Sequence, residues 1–134
     1  MPANHFAILS LLLFLTAAPG PASVKAQPQV TFQFDIESEL KNGSFDPDRH
    51  ELKVRSNNYS FSDSGFLVLK QSDDKSTVYS ATARFPRSMI DKEIYYQFVI
   101  VSNNRIIKED FTRYVQIMDN HLKLGVLSFG YFEL

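Results

Sequence analysis

Acidic side chains cluster at three places in the chain where they could work as a catalytic pair. The three clusters are Asp46, Asp48 and Glu51; Asp73 and Asp74; and Glu109 and Asp110. Paired carboxylates carry out glycoside hydrolysis when one donates a proton and the other acts as base or nucleophile. All three clusters lie in hydrophilic segments, and a domain of this size leaves little room for an enclosed cleft. We therefore interpret them as solvated turn residues.

Metal ligands and nucleophiles are scarce in this sequence. The chain has three histidines, His5, His50 and His121, and no cysteine. Since a zinc site needs three or four ligands, these scattered histidines do not predict one. The pair Asp46-x-Asp48 lacks the other ligands of a calcium loop, and no Gly-x-Ser-x-Gly motif positions a serine nucleophile. The sequence predicts a protein that is not an enzyme and that has no metal or cofactor.

Isolated aromatic residues are the remaining candidates for a binding site. Tyr59 and Phe61 stand in the polar segment 56–65, where burial is least expected. An exposed ring can stack on the flat C–H face of a sugar while neighbouring polar side chains bond the sugar hydroxyls. The alternative is that both rings close one end of a hydrophobic core.

The fold that positions these rings can be predicted from the segment Glu93–Val101. Seven of its nine residues are β-branched or aromatic, and it contains neither Gly nor Pro. Both alternating faces are mostly apolar, with Gln97 as the polar interruption, which predicts a strand that is central in its sheet and covered on both faces. The pair Asn103-Asn104 then predicts a hairpin turn into a partner strand at Ile106-Ile107.

Shorter segments with strand character surround this one, most of them alternating between apolar and polar residues. Their ranges are 30–36, 51–55, 66–69, 78–85 and 113–117. The apolar segment 121–132 is either a kinked last strand or a tail, and no segment has a convincing helical pattern. Seven or eight short strands, spaced by about 8–12 residues, predict an all-β fold: a single immunoglobulin-like antiparallel β-sandwich.

Residues 1–26 are predicted to be a secretory signal peptide in front of a domain at 27–134. The apolar segment 6–18 is shorter than the about 20 residues that span a bilayer, and Val24-Lys25-Ala26 offers a cleavage site. The alternative is an apolar N-terminal helix. Two glycosylation sequons, at Asn42 and at Asn58, agree with secretion. We expect a secreted glycoprotein that has no membrane attachment after cleavage.

The charge of the chain excludes two classes of partner. Removal of the leader leaves 13 basic and 15 acidic residues, and the basic residues form no stripe. Nucleic acids and anionic membranes are therefore not expected as partners. Without disulfides the domain must be stable through its core, for which the chain has 12 Phe and 6 Tyr residues.

The order of these segments resembles that of starch-binding domains, the family-20 carbohydrate-binding modules. The most specific match is Ile94–Ile100, which is similar to the family's central strand; a turn, the segment 108–110 and the Arg-containing segment 113–117 follow it. The segment 45–55 looks most like the starch-binding-like domain of the giant vertebrate AAA/RING ubiquitin ligases. The resemblance implies a β-sandwich that binds starch or another glycan.

The resemblance also implies where a sugar would bind. The family's main starch site combines a Trp, a Lys and a second Trp, and these places fall near Tyr59, on Gln97 and near Ile107. Tyr can stack on a sugar and Gln can bond a hydroxyl, but Ile has no ring, and the chain contains no Trp.

Two functional hypotheses follow from these observations. The first is a secreted, non-catalytic carbohydrate-binding module that has Tyr59, Phe61, Gln97 and Arg105 near its ligand. The second is a β-sandwich that has lost sugar binding and contacts protein, either alone or as a fragment of a larger ubiquitin-ligase-like protein. The apolar segment 126–132 favours the second, because an exposed apolar segment usually has a partner.

Overall fold

The structure, a computed structural model, describes residues 25–127. This part of the chain contains nine β-strands, one α-helix and one turn of 3-10 helix. The strands are β1 (Gln29–Asp35), β2 (Glu51–Ser56), β3 (Phe66–Val68), β4 (Lys70–Gln71), β5 (Val78–Arg84), β6 (Glu93–Ser102), β7 (Arg105–Lys108), β8 (Arg113–Gln116) and β9 (His121–Lys123). Helix α1 spans Glu37–Asn42, and the 3-10 turn spans Arg87–Met89. The predicted signal peptide lies outside the described residues, apart from Lys25 and Ala26.

The strands form two packed sheets, which confirms the predicted all-β sandwich. One sheet has the order β4-β5-β1-β9, and the other has the order β3-β2-β6-β7, with β8 also paired to β6. The strand count exceeds the predicted seven or eight because the segment 66–69 divides at Leu69. Strand β3 joins one sheet and β4 joins the other. The β1–β9 pair is parallel, whereas the other strand pairs of the described residues are antiparallel.

Strand β6 is central in the five-stranded sheet, as its composition predicts. It pairs with β2 along one side and with β7 and β8 along the other. Val99 is fully buried on the outer face, where the stem of Lys53 lies beside it with only 15% of that side chain exposed. The prediction that both faces are covered is wrong at Tyr95, which is 43% exposed. Strand β2 ends at Ser56, opposite Tyr96, so no residue of β2 lies opposite Tyr95.

The core between the sheets is built mainly from aromatic rings. Phe34 of β1 meets Phe98 of β6 with ring centroids 4.9 Å apart, and Phe32 meets Tyr96 at 5.0 Å. Phe32, Phe34 and Phe98 are fully buried, and Phe45 is also buried. Tilted and edge-to-face ring pairs of this kind stabilise the core beyond the effect of area burial alone.

Helix α1 corrects the expectation that the chain has no helix. Its first turn is held by the Asp35 carboxylate, which accepts the N–H of Glu37 at 3.0 Å. Gly43 ends it with a left-handed φ of 81°, a conformation that glycine adopts without steric cost. The pair Asn42-Gly43, a residue combination common in tight turns, is here the C-terminus of a helix.

Glu39 is a buried carboxyl on the inner side of α1. It is 4% exposed, and its Oε2 has no hydrogen-bond partner among the described residues. Burial raises the pKa of Glu39 above 4.5; a backbone hydrogen bond opposes this rise, and the charges of Asp35 and Glu109 add to it. The folded state therefore favours the neutral acid.

We expect the contribution of Glu39 to stability to decline as the pH rises. The folded state still holds this proton where the unfolded state has released it, so the contribution is complete below about pH 4.5 and is lost above the folded pKa. A neutral Glu39→Gln variant should have a higher urea midpoint than the unsubstituted protein at pH 7, and a smaller change between pH 5 and pH 7. Glu37→Gln, on the exposed side of α1, is the control. Equal pH dependence with and without Glu39 would contradict this expectation.

The C-terminal segment begins as a strand and runs along the N-terminal strand. Strand β9 pairs in parallel with β1, and Leu127 forms an isolated parallel bridge to Phe34. The rest of the apolar segment, from residue 128, lies outside the described residues. Among residues 25–127, neither helix has the length and apolar character needed to cross a membrane.

Candidate functional site

Tyr59 and Phe61 are half-buried and pack against the aromatic core. Tyr59 meets Phe85 with ring centroids 4.9 Å apart, Phe61 meets Phe32 at 5.8 Å, and the two rings are 5.3 Å from each other. These contacts support the alternative interpretation, in which both rings close one end of the hydrophobic core. A sugar contact through the rest of their surface stays a prediction.

Gln97 and Ile107, two positions of the family's starch site, have structural roles. The Gln97 side chain is 9% exposed, and its Nε2 donates to the carbonyl oxygens of Glu109 and Phe111, each at 3.1 Å. Ile107 is 9% exposed and pairs with Ile100 in the core. Within the described residues, neither side chain presents a sugar-binding group of the kind that the family uses.

Arg105 lies at the opposite end of β6 from Tyr59. It pairs with Ser102 beside the hairpin turn, whereas the loop of Tyr59 meets β6 at Tyr95. Ser102 and Tyr95 are seven residues apart, about 23 Å along a strand. The structure therefore does not bring the four predicted ligand residues into one site.

The surroundings of Arg105 form a polar cleft of about 440 Å³, which it shares with Asp48, Arg49 and His50. The His50 Nδ1 accepts the backbone N–H of Asp46 at 2.9 Å, so Nε2 carries the proton of the neutral ring. Arg49 lies 3.6 Å from the carboxylate of Asp46 in an exposed pair of small energetic weight. The cleft is open and charged, and none of the described residues that line it is a Phe or Tyr on which a sugar could stack.

Two tyrosines outside the predicted ligand residues form an exposed aromatic surface on the five-stranded sheet. Tyr95 of β6 and Tyr114 of β8 are direct cross-strand partners, 43% and 70% exposed. We call them the tyrosine pair. The backbone N–H and C=O of Tyr95 both point away from β8, toward the end of β2. The N–H donates to Asn58 Oδ1, and the carbonyl oxygen accepts the N–H of Asn57. The tyrosine pair is thus a non-hydrogen-bonded pair, in which side chains approach most closely.

Polar groups flank the tyrosine pair on the same face. Glu93, two residues before Tyr95, and Gln116, two residues after Tyr114, are also direct cross-strand partners. The Tyr95 hydroxyl donates to Glu93 Oε2 at 3.1 Å, and this hydrogen bond is the main reason why the pKa of Tyr95 is raised. The pair therefore combines two ring surfaces with a carboxylate, a hydroxyl and an amide. Such a surface offers apolar stacking and hydrogen bonds, and its carboxylate disfavours anionic ligands.

A buried polar cluster holds β8 against β6 and so fixes the position of Tyr114. Glu109 is fully buried; its Oε1 accepts the N–H of Phe98 at 2.8 Å, and its Oε2 accepts from Arg113 at 2.7 Å. With Gln97, these groups bridge the gap between β7 and β8. We call Gln97, Glu109 and Arg113 the edge lock. The interpretation of Glu109 as a solvated turn residue is wrong, because its partner Arg113 lies four residues later and draws the carboxylate inward.

Within residues 25–127, no three His, Asp or Glu side chains are close enough together to hold a metal ion. In comparisons with known proteins, no family model and no curated sequence matches this chain.

Proposed function

We propose that this protein is a secreted, non-catalytic carbohydrate-binding module that binds a neutral glycan on the tyrosine pair. The observation that carries the proposal is the exposure of Tyr95 and Tyr114 as direct partners on the outer face of the five-stranded sheet. Large aromatic side chains are usually at least partly buried, so two adjacent exposed rings favour a ligand.

The geometry of the pair suits a sugar better than an apolar ligand. Cross-strand partners have Cβ atoms about 4.5–5.5 Å apart, so their rings can contact one pyranose or two consecutive ones. Glu93 and Gln116 lie alongside and supply an acceptor and an amide for sugar hydroxyls. No basic side chain belongs to this four-residue surface, so a neutral glycan is favoured over a sulfated or uronic one.

The resemblance to starch-binding domains supports the same class of ligand. The sandwich provides the sheet, but the binding residues differ from those of the family, because Gln97 and Ile107 are used inside the protein. We therefore propose the same class of ligand as for the family, a glycan, but a different binding surface, the tyrosine pair.

Replacing Tyr114 with alanine should weaken glycan binding by about 2 kcal/mol, or about 30-fold, because central aromatic residues dominate binding energy. The measurement is titration calorimetry with soluble starch and with a second neutral polysaccharide. Ile106→Ala is the matched control, since Ile106 is 47% exposed at the far end of the same sheet.

Two results would contradict the proposal. One is equal loss of binding in Tyr114→Ala and Ile106→Ala. The other is the absence of binding to any neutral glycan by the folded protein, together with the capture of one defined protein partner through the tyrosine pair. The second result would support the interaction module instead.

A further inference from the structure

The side chain of Asn58, in the second sequon, is bonded to the backbone of β6. Its Nδ2 donates to the carbonyl oxygen of Glu93 at 2.9 Å, and its Oδ1 accepts the N–H of Tyr95 at 3.1 Å. The hydroxyl of Ser56 also donates to Oδ1, at 2.9 Å. The amide thus occupies the place that a further residue of β2 would take beside the start of β6. We call this arrangement the Asn58 clamp.

The clamp uses the hydrogen atom that a glycan would replace. Nδ2 and Oδ1 of Asn58 both face β6, because one bonds to Glu93 and the other to Tyr95. The hydrogen atom that Nδ2 donates is therefore the one on the same side of the amide as Oδ1. A substituted amide prefers the trans arrangement, which places the sugar carbon trans to Cβ and therefore also cis to Oδ1. The sugar carbon would take the position through which Nδ2 bonds to Glu93. The clamp and a glycan on Asn58 exclude each other.

Both asparagines are exposed, and the first sequon differs from the second in the hydrogen bonds of its amide. Asn42 is exposed at the end of α1, and its Oδ1 accepts both the N–H of Ser44 at 2.9 Å and the Ser44 hydroxyl at 2.6 Å. Among the described residues, the Asn42 Nδ2 makes no hydrogen bond. Apart from residues 42–44, no described residue has an atom within 4 Å of the position that a Cβ on Gly43 would take, so the surroundings are open.

We propose that the secreted protein carries one N-linked glycan, on Asn42, and that Asn58 stays unmodified as the clamp that positions Tyr95. In the transfer, the Asn42 Nδ2 bonds to the anomeric carbon of a lipid-diphosphate-linked oligosaccharide. The anomeric C–O bond breaks, the lipid diphosphate leaves with the electron pair, and the amide releases one proton to a base of the transferase. The inference rests on the proposed secretion.

The test is glycopeptide mass spectrometry of the full chain secreted from mammalian cells. Peptides with Asn42 should carry glycan, and peptides with Asn58 should be unmodified. The variant Asn42→Gln should lose the whole glycan mass, whereas Asn58→Ala and Ser60→Ala should lose none. Asn58→Ala should also lower Tm, by about 4–8 °C. Ser60→Ala removes the sequon but keeps the clamp, so its Tm should stay near that of the unsubstituted protein.

A folded secreted protein with glycan on Asn58, or with none on Asn42, would overturn the assignment. Equal Tm values for Asn58→Ala and Ser60→Ala would overturn the clamp. The two variants can also be compared after bacterial expression, so the clamp is tested even if the chain is not secreted. The proposed function is tested separately, by glycan binding of unglycosylated protein.

Discussion

Replacing Glu109 with alanine is expected to destabilise the protein by about 3–5 kcal/mol, the loss that follows when one partner of a buried ion pair is removed. Glu109 is fully buried and holds both Arg113 and the N–H of Phe98. The substitution removes the carboxylate that these donors share, in a place that water does not reach. The measurement is the free energy of unfolding from urea denaturation.

Asp110→Ala is the control for this prediction, because it removes an exposed carboxylate from the adjacent residue. Its expected effect is below about 0.5 kcal/mol, as for most surface substitutions. Glu109→Gln should fall between the two, since it keeps the shape but loses the charge. If Glu109→Ala costs no more than Asp110→Ala, the edge lock contributes nothing to stability. A stable Glu109→Ala protein with unchanged glycan binding would also show that Tyr114 does not depend on the lock.

Replacing Phe85 with alanine is the second large effect, with an expected loss of about 3–5 kcal/mol from the missing apolar contacts and the cavity left behind. Phe85 is fully buried just after β5 and lies beneath both Tyr59 and Phe61, at 4.9 Å and 6.2 Å between ring centroids. The loop that carries these two rings rests on Phe85. The variant should therefore also make the segment 57–65 more sensitive to protease.

Phe66→Ala is the matched control, since Phe66 is a half-buried ring on the outer face of β3, where it contacts the Lys53 ammonium group at 5.0 Å. Urea denaturation and limited proteolysis measure both variants. Similar losses in Phe85→Ala and Phe66→Ala would contradict a dominant role of the buried cluster. Unchanged proteolysis in Phe85→Ala would mean that Tyr59 and Phe61 are held by other contacts.

Period-two patterns allowed most of this fold to be predicted from the sequence. The segment 78–85 alternates as expected, with Tyr79 and Ala83 buried inside and Thr82 and Arg84 outside. The hairpin at Asn103-Asn104 also has the predicted two-residue turn, because Ser102 pairs with Arg105. In these places the local pattern and the tertiary environment favour the same structure.

The tyrosine pair escaped prediction because the strand register changes along β6. Val99 pairs with Lys108, and continued pairing would place Tyr95 opposite Thr112. The four residues between β7 and β8 shift the register by two, so that Tyr95 meets Tyr114 instead. Because side chains alternate between the two faces of a sheet, a register shift of two residues keeps each side chain on the same face. The alternation of apolar and polar residues in the sequence is then the same with or without the shift. Only the three-dimensional pairing shows which tyrosines are neighbours.

Glu109 and Asn58 illustrate a second limit of sequence reasoning. Each is polar and lies in a polar segment, so composition predicts solvent exposure for both. This expectation is wrong for Glu109, which is fully buried, whereas Asn58 is exposed and still makes specific hydrogen bonds. Their roles depend on partners, Phe98 for Glu109 and Glu93 for Asn58, that lie 11 and 35 residues away along the chain. No local pattern encodes such contacts.

The parallel pairing of β1 with β9 sets the order in which this sandwich can be completed during synthesis. Strand β1 leaves the ribosome early, but its edge partner at His121–Lys123 and the bridge from Leu127 to Phe34 are made some 90 residues later. Contacts of such large sequence separation form late and slow folding. A nascent chain would therefore keep this edge of β1 without its partner until nearly all of its strands had been translated.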